Sequence, residues 1–457
     1  MGRSLARHRG PANLKVSYAI GFGRAPVEVD PTRVCELLVG LPDVNVLGVI
    51  DEPGLALRVV IETRGPRPAC ARCGVRAQIK DRPEVELVDL PAFGRPVRLL
   101  WRKHRWECAN DSCPVGSWTG EDVRIAPARA AMTDRAGRWV TRQVGEHGRT
   151  VNELAGELEC AWHTVNDAVI AYGTALVDND PDRIGEPTAL GLDETLFVRV
   201  GPRHHQRFST SIVDVRAGKL LDVVPGRSAV EPCRWLEARG REWLANIAYA
   251  TLDLSGPYRL VFDTMVPAAV QVADPFHVVK LANHKLDECR RRVQNETCGH
   301  RGRKDDPLYR CRRLLTKADE RLDDNGRTKL LGLLAAGDPH GEVRMAWHAK
   351  EVVRSIYDHH DPDLAVEFVE RLGRDLQDTS CPIEVRSLGR TIIRWKNQIA
   401  AWHRAHVTNG PTEAANNLIK RIKRVAFGFT RFRNYRIRVL LYAGKPNWDL
   451  LATITPR

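Results

Sequence analysis

The sequence predicts a multidomain α/β protein, and three stretches carry that reading. Two cysteine pairs stand among short apolar, strand-like runs between residues 55 and 113. Short helical patterns joined by a tight turn follow, up to residue 173. Beyond residue 187 the pattern becomes strand, hairpin, helix, strand, helix, strand, and then a long basic helical run. A chain of 457 residues has room for about two to four domains and a sizeable core.

Residues 1–30 are basic and Gly/Pro-broken, and an arm is expected there. The module expected over 31–130 starts with a short helix at VCELLVGL and a strand at LALRVVIET. CARC supplies Cys70 and Cys73, and WECANDSCP supplies Cys108 and Cys113. Between the pairs, VRLLWRKHRWEC reads as one strand with alternating aromatic and basic residues. C-x2-C followed 34 residues later by C-x4-C is ligand spacing for zinc, and paired spacing beside Pro and Gly speaks against four unrelated core thiols. Four thiolates leave no open position for water, so this Zn²⁺ is structural. The spacings of Cys289, Cys298, His300 and Cys311 match no metal site, and they read as ordinary core or surface residues, as do Cys35, Cys160, Cys233 and Cys381.

Residues 132–173 read as three short helices, within a helix-turn-helix domain expected over 131–177. The first runs from Thr133–Asp134 to Gly148, and the second opens on a capping box from Thr150 to Glu153. The third, AWHTVNDAVIAYG, stops at Gly173. With Trp162, His163 and Asn166 exposed on that last helix, the pair fits a DNA-binding helix-turn-helix, although a plain packing hairpin has the same pattern.

DNDPDRIGEP (178–187) is a polar linker. Residues 188–280 then run strand (TALGLDETLFVRV), hairpin (RFSTSIVDV and KLLDVVPG), helix (SAVEPCRWLEARGREWLANI), strand (IAYATLDL) and strand (AAVQVAD). That is the order of an RNase H-like mixed sheet, with Asp193 and Asp253 on neighbouring central strands. Residues 281–405 read as an inserted helical subdomain, and 406–457 as the C-terminal part of the same core.

Composition narrows the partners. Lys and Arg number 70 against 57 Asp and Glu, a net charge of +13. This excess suits a polyanion such as nucleic acid, although a basic solvated surface has the same balance. No apolar stretch approaches the roughly 18 residues of a membrane span. MGRSLARHRG has no apolar region of signal type behind it, so a cytoplasmic, nucleoid-associated protein without a membrane partner is expected. In that compartment the 11 cysteines serve metal or packing rather than disulfides.

Three acids stand out. Asp193 interrupts an apolar run of Ala189, Leu190, Leu192, Leu196 and Phe197, where an unpaired charge is costly. Asp253 ends an apolar strand ahead of Ser255-Gly256. Glu413 follows Asn409-Gly410-Pro411 in the first turn of a helix, with Asn417 and Lys420 on its face. Two strand carboxylates and one helix carboxylate suit a pair of Mg²⁺ (or Mn²⁺) ions held against a phosphodiester. Each acid also has a bland reading, as a turn residue or as a carboxylate favoured at a helix N-terminus. Lys420, Arg421, Lys423 and Arg424 would track a phosphate backbone. Asp274 and His277, three apart at a helix start, could touch metal, DNA or each other.

These segments resemble the DDE transposases of bacterial insertion sequences, specifically the ISL3 family. The resemblance rests on the cysteine pairs, the helix-turn-helix, LGLDET, TLDLSGPY, VADPFHVVKLAN and NGPTEAANNLIKRIKRVAFGFTRFRNYRIR. It implies that Asp193, Asp253 and Glu413 are the catalytic carboxylates, and that Asp274 and His277 form the family's Asp-x-x-His element. It further implies double-stranded DNA partners (element ends and target) and a homodimer or larger assembly. Ala161, where a capping Ser is common, and the C-x4-C spacing depart from the family pattern. A zinc and helix-turn-helix regulator derived from an inactive relative would share the N-terminal half and need no triad.

Overall fold

The structure is a computed structural model that describes Glu28 and residues 30–456. The expected basic arm lies almost wholly outside the described residues. The chain forms two compact units. One holds the described residues up to Arg142, with Val151–Tyr172 and the chain's last residues; the other holds Gln143–Thr150 and Gly173–Ile454.

In the first unit, α1 (Pro31–Val39) starts at Asp30, whose carboxylate accepts the Arg33 N–H at 2.9 Å. Then come β1 (Val44–Ile50), β2 (Leu57–Thr63), β3 (Gln78–Asp81), β4 (Glu84–Ala92), β5 (Arg95–Arg102), β6 (Arg105–Glu107) and β7 (Ser117–Thr119). A four-stranded sheet, β1-β2-β5-β4, packs over Ile61, Leu99 and Trp101, and β3-β6-β7 form a second, three-stranded sheet. The single strand expected over VRLLWRKHRWEC is therefore two strands. The chain changes sheets at Lys103 and His104, which are held aside by Glu121 (3.0 Å) and Glu62 (2.8 Å).

The three expected helices are α2 (Asp134–Gly145), α3 (Val151–Glu157) and α4 (Trp162–Asp178). Two expectations need correction. The last helix does not stop at Gly173, because that glycine serves helix packing rather than a C-cap. A Cβ there would lie 2.8 Å from both Ile437 and Leu441. Asn166 is not exposed: it is 6 % accessible, on the buried side of α4 with Val165 and Val169.

The second unit is built on β8 (Ala189–Val200), β9 (His205–Asp214), β10 (Lys219–Pro225), β11 (Tyr249–Leu252) and β12 (Val270–Ala273), in the order β10-β9-β8-β11-β12. The first three are antiparallel, and β11 runs parallel to both β8 and β12. This is the RNase H-like mixed sheet. Between β10 and β11 the expected single helix is two, α5 (Val230–Glu237) and α6 (Arg241–Ala245). Gly240 breaks it with φ +86°, a conformation closed to most residues. α7 (Gly256–Met265) joins β11 to β12.

After β12 come α8 (Pro275–Cys298), α9 (Pro307–Thr316), α10 (Asp324–Gly337), α11 (Glu342–Arg354), α12 (Pro362–Asp375), α13 (Ile383–Arg394), α14 (Lys396–Ala405), α15 (Gly410–Val425) and α16 (Phe432–Ala443). The helical run shares one apolar core with a face of the sheet, from Leu190 and Leu192 through Val278 and Leu286 to Trp347 and Ile399. The opposite face carries Ala189, Phe197 and Val213 against Ile419 and Ile422 of α15 and Tyr435 and Val439 of α16. Burying apolar faces on both sides leaves the strand ends as the place for polar chemistry. Among the described residues no helix is long and apolar enough to cross a membrane.

Candidate active site

β8 sets the frame. Successive side chains of a strand point to opposite faces. Odd-numbered Gly191 and Asp193 face α15, while Leu190 and Leu192 enter the other core. The register offset between β8 and β11 is sixty, since Tyr249 pairs with Ala189 and Thr251 with Gly191. Continued two residues, it sets Asp253 level with Asp193, just past the last residue of β11. There the strand ends, and Leu254 takes φ +62° to turn the chain into α7. A leucine in the left-handed region is a strained residue, and such strain gathers at functional sites.

Carboxylate oxygens of Asp193, Glu194 and Asp253 lie within 4.8 Å of one another. Asp193 and Glu194 start on opposite faces, and the open end of β11 lets Asp253 lie near both. Asp193 is held firmly. Its Oδ1 accepts the Glu194 N–H at 2.8 Å, and its Oδ2 accepts the Asn416 amide N–H at 2.7 Å. Ser211 donates to Asn416 Oδ1 at 2.7 Å and lies 3.0 Å from the Asp193 carbonyl. Asp253 Oδ1, in contrast, is out of water and makes no hydrogen bond among the described residues.

Burial pushes the Asp193 carboxyl up to about 6, and the Asp253 charge adds to the shift. Burial, then Glu194, raises Asp253; burial, then Asp193, raises Glu194. Three acids that resist ionising together, one with an orphaned oxygen, form an all-oxygen donor set that fits a hard divalent cation.

Glu413 stands in the first turn of α15, with its side chain 37 % exposed. Its carboxylate lies 3.4 Å from His277 Nε2, and His277 Nδ1 lies 3.2 Å from Asp274 Oδ2. The other oxygen of Asp274 accepts the Asn409 N–H at 3.0 Å, at the start of α15. Burial works against a charge on His277, but Asp274, Asp253 and Glu413 outweigh it and raise its pKa. Asn409 also accepts from Thr251 on β11 at 3.0 Å. The start of α15 thus docks on β8 and β11, where Gly191 leaves room for Thr412 and Asn409.

Among the residues singled out in the sequence, Asp193 and Asp253 come together, and Glu413 joins Asp274 and His277. Glu194 and Asn416 were missed. Glu194 had one available signal, an acid directly after Asp193 in an apolar strand. Asn416 had none beyond its place one turn after Glu413. Lys420, Arg421 and Arg424 are exposed, whereas Lys423 donates to the Leu196 carbonyl of β8. Trp162 is half exposed and His163 exposed.

The first unit holds a second cluster. Cys70 Sγ lies 3.8 Å from Cys113 Sγ, and Cys73 Sγ 3.4 Å from Cys108 Sγ, with all four within 4.8 Å. A tetrahedral ion with Zn–S of about 2.3 Å sets its sulfurs about 3.8 Å apart, so the thiols fit zinc. Gly74, at φ +72°, turns the first knuckle, and its N–H donates to the Cys70 carbonyl at 2.9 Å. Backbone N–H groups of Cys73 and Arg72 draw the Cys70 thiol down to about 7.

Two family models match the chain. A family model described as "Transposase", of the ISL3 type with a DDE centre, matches residues 190–439, more than half of the chain. The chain belongs to the ISL3-type transposase family. A second model, the zinc-finger of transposases IS204/IS1001/IS1096/IS1165, matches residues 66–113 and spans the four cysteines. This transposase is 28 % identical over 415 residues to the transposase for insertion sequence element IS1557 of Mycobacterium tuberculosis, in strains CDC 1551 and H37Rv. That alignment covers 83 % of this chain and 87 % of the relative. A Drosophila P element transposase in a strand transfer complex superposes with a TM-score of 0.38 at 9 % identity, covering 71 % of this chain and 96 % of that one.

Proposed function

We propose that this transposase cleaves and joins DNA at the ends of a mobile element through Asp193, Asp253 and Glu413. The observation that carries the proposal is the level placement of Asp253 beside Asp193 at the open end of β11, inside a half-buried carboxylate cluster. The three residues would hold Mg²⁺ (or Mn²⁺), which supplies positive charge at the attacking and leaving oxygens of an in-line displacement. Asn416 and the Glu194 N–H fix the Asp193 carboxylate, and Asp253 keeps an oxygen uncommitted. His277, braced by Asp274, lies 3.4 Å from the Glu413 carboxylate and would steer it toward the metal.

The reaction has two parts. Water adds to the scissile phosphorus and the 3′ oxygen leaves; the freed 3′-OH then loses its proton and attacks a phosphorus of target DNA, whose own 3′ oxygen leaves and takes up a proton. Neither needs a covalent enzyme intermediate, so no Ser or Tyr nucleophile is required. The zinc ribbon and helix-turn-helix would read double-stranded element ends, with Trp162 and His163 on the open side of α4. Lys420, Arg421 and Arg424 would carry the phosphate backbone. Joining two ends calls for at least two protomers. The domain roles follow the expected spans, with residues 281–405 as an insertion holding flanking or target DNA.

The test is Mg²⁺-dependent strand cleavage by Asp193→Asn, Asp253→Asn and Glu413→Gln, with end binding measured in parallel. Each variant should bind DNA and fail to cut. Full cleavage by any of them removes that residue from the triad.

A further inference from the structure

The turn from α15 to α16 contains the most exposed large apolar side chain among the described residues, Phe427, at 94 %. Its backbone lies in the left-handed region (φ +54°), followed by Gly428 at φ +97°. A bulky residue rarely takes that conformation, and a fully exposed aromatic ring gains nothing from burial.

The turn is nevertheless well built. Phe427 N–H donates to the Arg424 carbonyl at 3.1 Å and Gly428 N–H to the Lys423 carbonyl at 2.9 Å, which closes the end of α15. Two residues on, Phe429 packs edge-on against Tyr435 at 5.6 Å, and the buried Arg438 guanidinium lies 5.5 Å from the Phe429 ring. One phenylalanine anchors the turn and the other is held outward.

The charge around it is one-sided. Between residues 414 and 448 the chain has nine Lys and Arg and no Asp or Glu. Arg424, Arg431 and Arg433, flanking the turn, are exposed. The partner this surface complements is a polyanion that also offers flat aromatic faces.

We propose that Phe427 is a base-stacking wedge, entering a DNA step that is unstacked where the duplex leaves the active site. It rests on the DNA-transposase reading above. The helix supplies a distance. From Glu413 to the turn, α15 rises 1.5 Å per residue, about 20 Å in all. Along a DNA strand at 3.4 Å per nucleotide, that is about six base pairs from the cut. Basic side chains hold the backbone on either side while the ring replaces a lost base–base stack.

The test uses the full chain and duplexes of one element end with its flank, carrying 2-aminopurine at each position in turn. Wild type should raise fluorescence at a step about six base pairs from the scissile phosphate. Phe427→Ala should abolish that signal and weaken binding by about tenfold to a hundredfold, while Phe427→Trp should retain both. Phe427 is solvent-exposed, so an unchanged melting temperature of Phe427→Ala certifies its fold. Equal fluorescence of wild type and Phe427→Ala at every position, with both bound, overturns the wedge. So does a Phe427→Ala variant that loses self-association by light scattering while its fluorescence is unchanged, since the ring would then meet a second copy. Binding is read without cleavage, so a cutting Asp193→Asn variant would sink the triad and leave the wedge standing.

Discussion

Gly191→Ala strikes the contact that seats Glu413, the proposed third carboxylate. A Cβ at this position would lie 2.2 Å from Thr412 Oγ1, 2.7 Å from Val215 Cγ1 and 2.8 Å from Asn409 Oδ1. Thr412 and Asn409 are fully buried at the start of α15. Opening the shortest contact to an ordinary 3.4 Å calls for a shift of about 1.2 Å, shared between the Thr412 side chain and the helix start. Overpacking of this kind costs about 1–3 kcal/mol of stability. A misplacement of about 1 Å in a catalytic constellation can cost about a hundredfold in rate. Glu413 follows Thr412 directly, so the rate should suffer more than the fold. The assay is single-turnover cleavage of an end-containing duplex, alongside end-binding affinity and thermal unfolding. Cleavage should fall about a hundredfold with binding nearly unchanged. Thr412 Oγ1 has no hydrogen-bond partner among the described residues, so Thr412→Ala should be mild alone and should return part of the lost rate in the double variant. A Gly191→Ala protein with wild-type cleavage and melting temperature would show that α15 does not need this close approach.

Three further expectations follow from the site and the zinc ribbon. Asp193, Asp253 and Glu194 have raised pKa values, so their contribution to stability is complete below the unfolded value near 4 and fades as pH rises through the folded one, about 6 for Asp193. Metal-free protein should therefore melt at lower temperature at pH 8 than at pH 5, with Mg²⁺ or Asp193→Asn recovering part of the loss; a flat profile contradicts the buried cluster. Asn416→Ala should lower the cleavage rate and raise the Mg²⁺ concentration needed for half-maximal activity, with DNA affinity kept. An unchanged metal requirement would remove Asn416 as a positioning residue. Metal analysis should find one zinc per chain, and Cys113→Ser should lose it together with end binding; retention of zinc would move the fourth ligand elsewhere.

Much of this architecture was legible in the residues, for identifiable reasons. Asp193 declared itself because a charge inside an apolar strand needs a partner. The four cysteines declared themselves by spacing. Glu194 did not, because alternation sends it to the opposite face, and only the early end of β11 brings Asp253 close to both. Asn166 looked exposed because a polar residue in a helix is usually at the surface, yet it lies on the buried side of α4. Gly173 and Gly240 show why glycine is ambiguous in one dimension. The first permits helices to approach and lets α4 continue, whereas the second breaks a helix through a positive φ. The docking of α15 on β8 joins residues more than two hundred positions apart, and no local pattern encodes it.

The proposed metal site is completed by Glu413 on α15 rather than by Glu194 beside Asp193, and this is open to a direct test. Iron-generated radical cleavage provides it: Fe²⁺ replaces Mg²⁺, ascorbate and peroxide are added, and the cut peptides are mapped by mass spectrometry. The triad predicts scission near residues 193, 253 and 413, suppressed by excess Mg²⁺ and lost near 413 in Glu413→Gln. Cuts confined to 193–194 and 253, with none near 413, would contradict it and make Glu194 the third ligand.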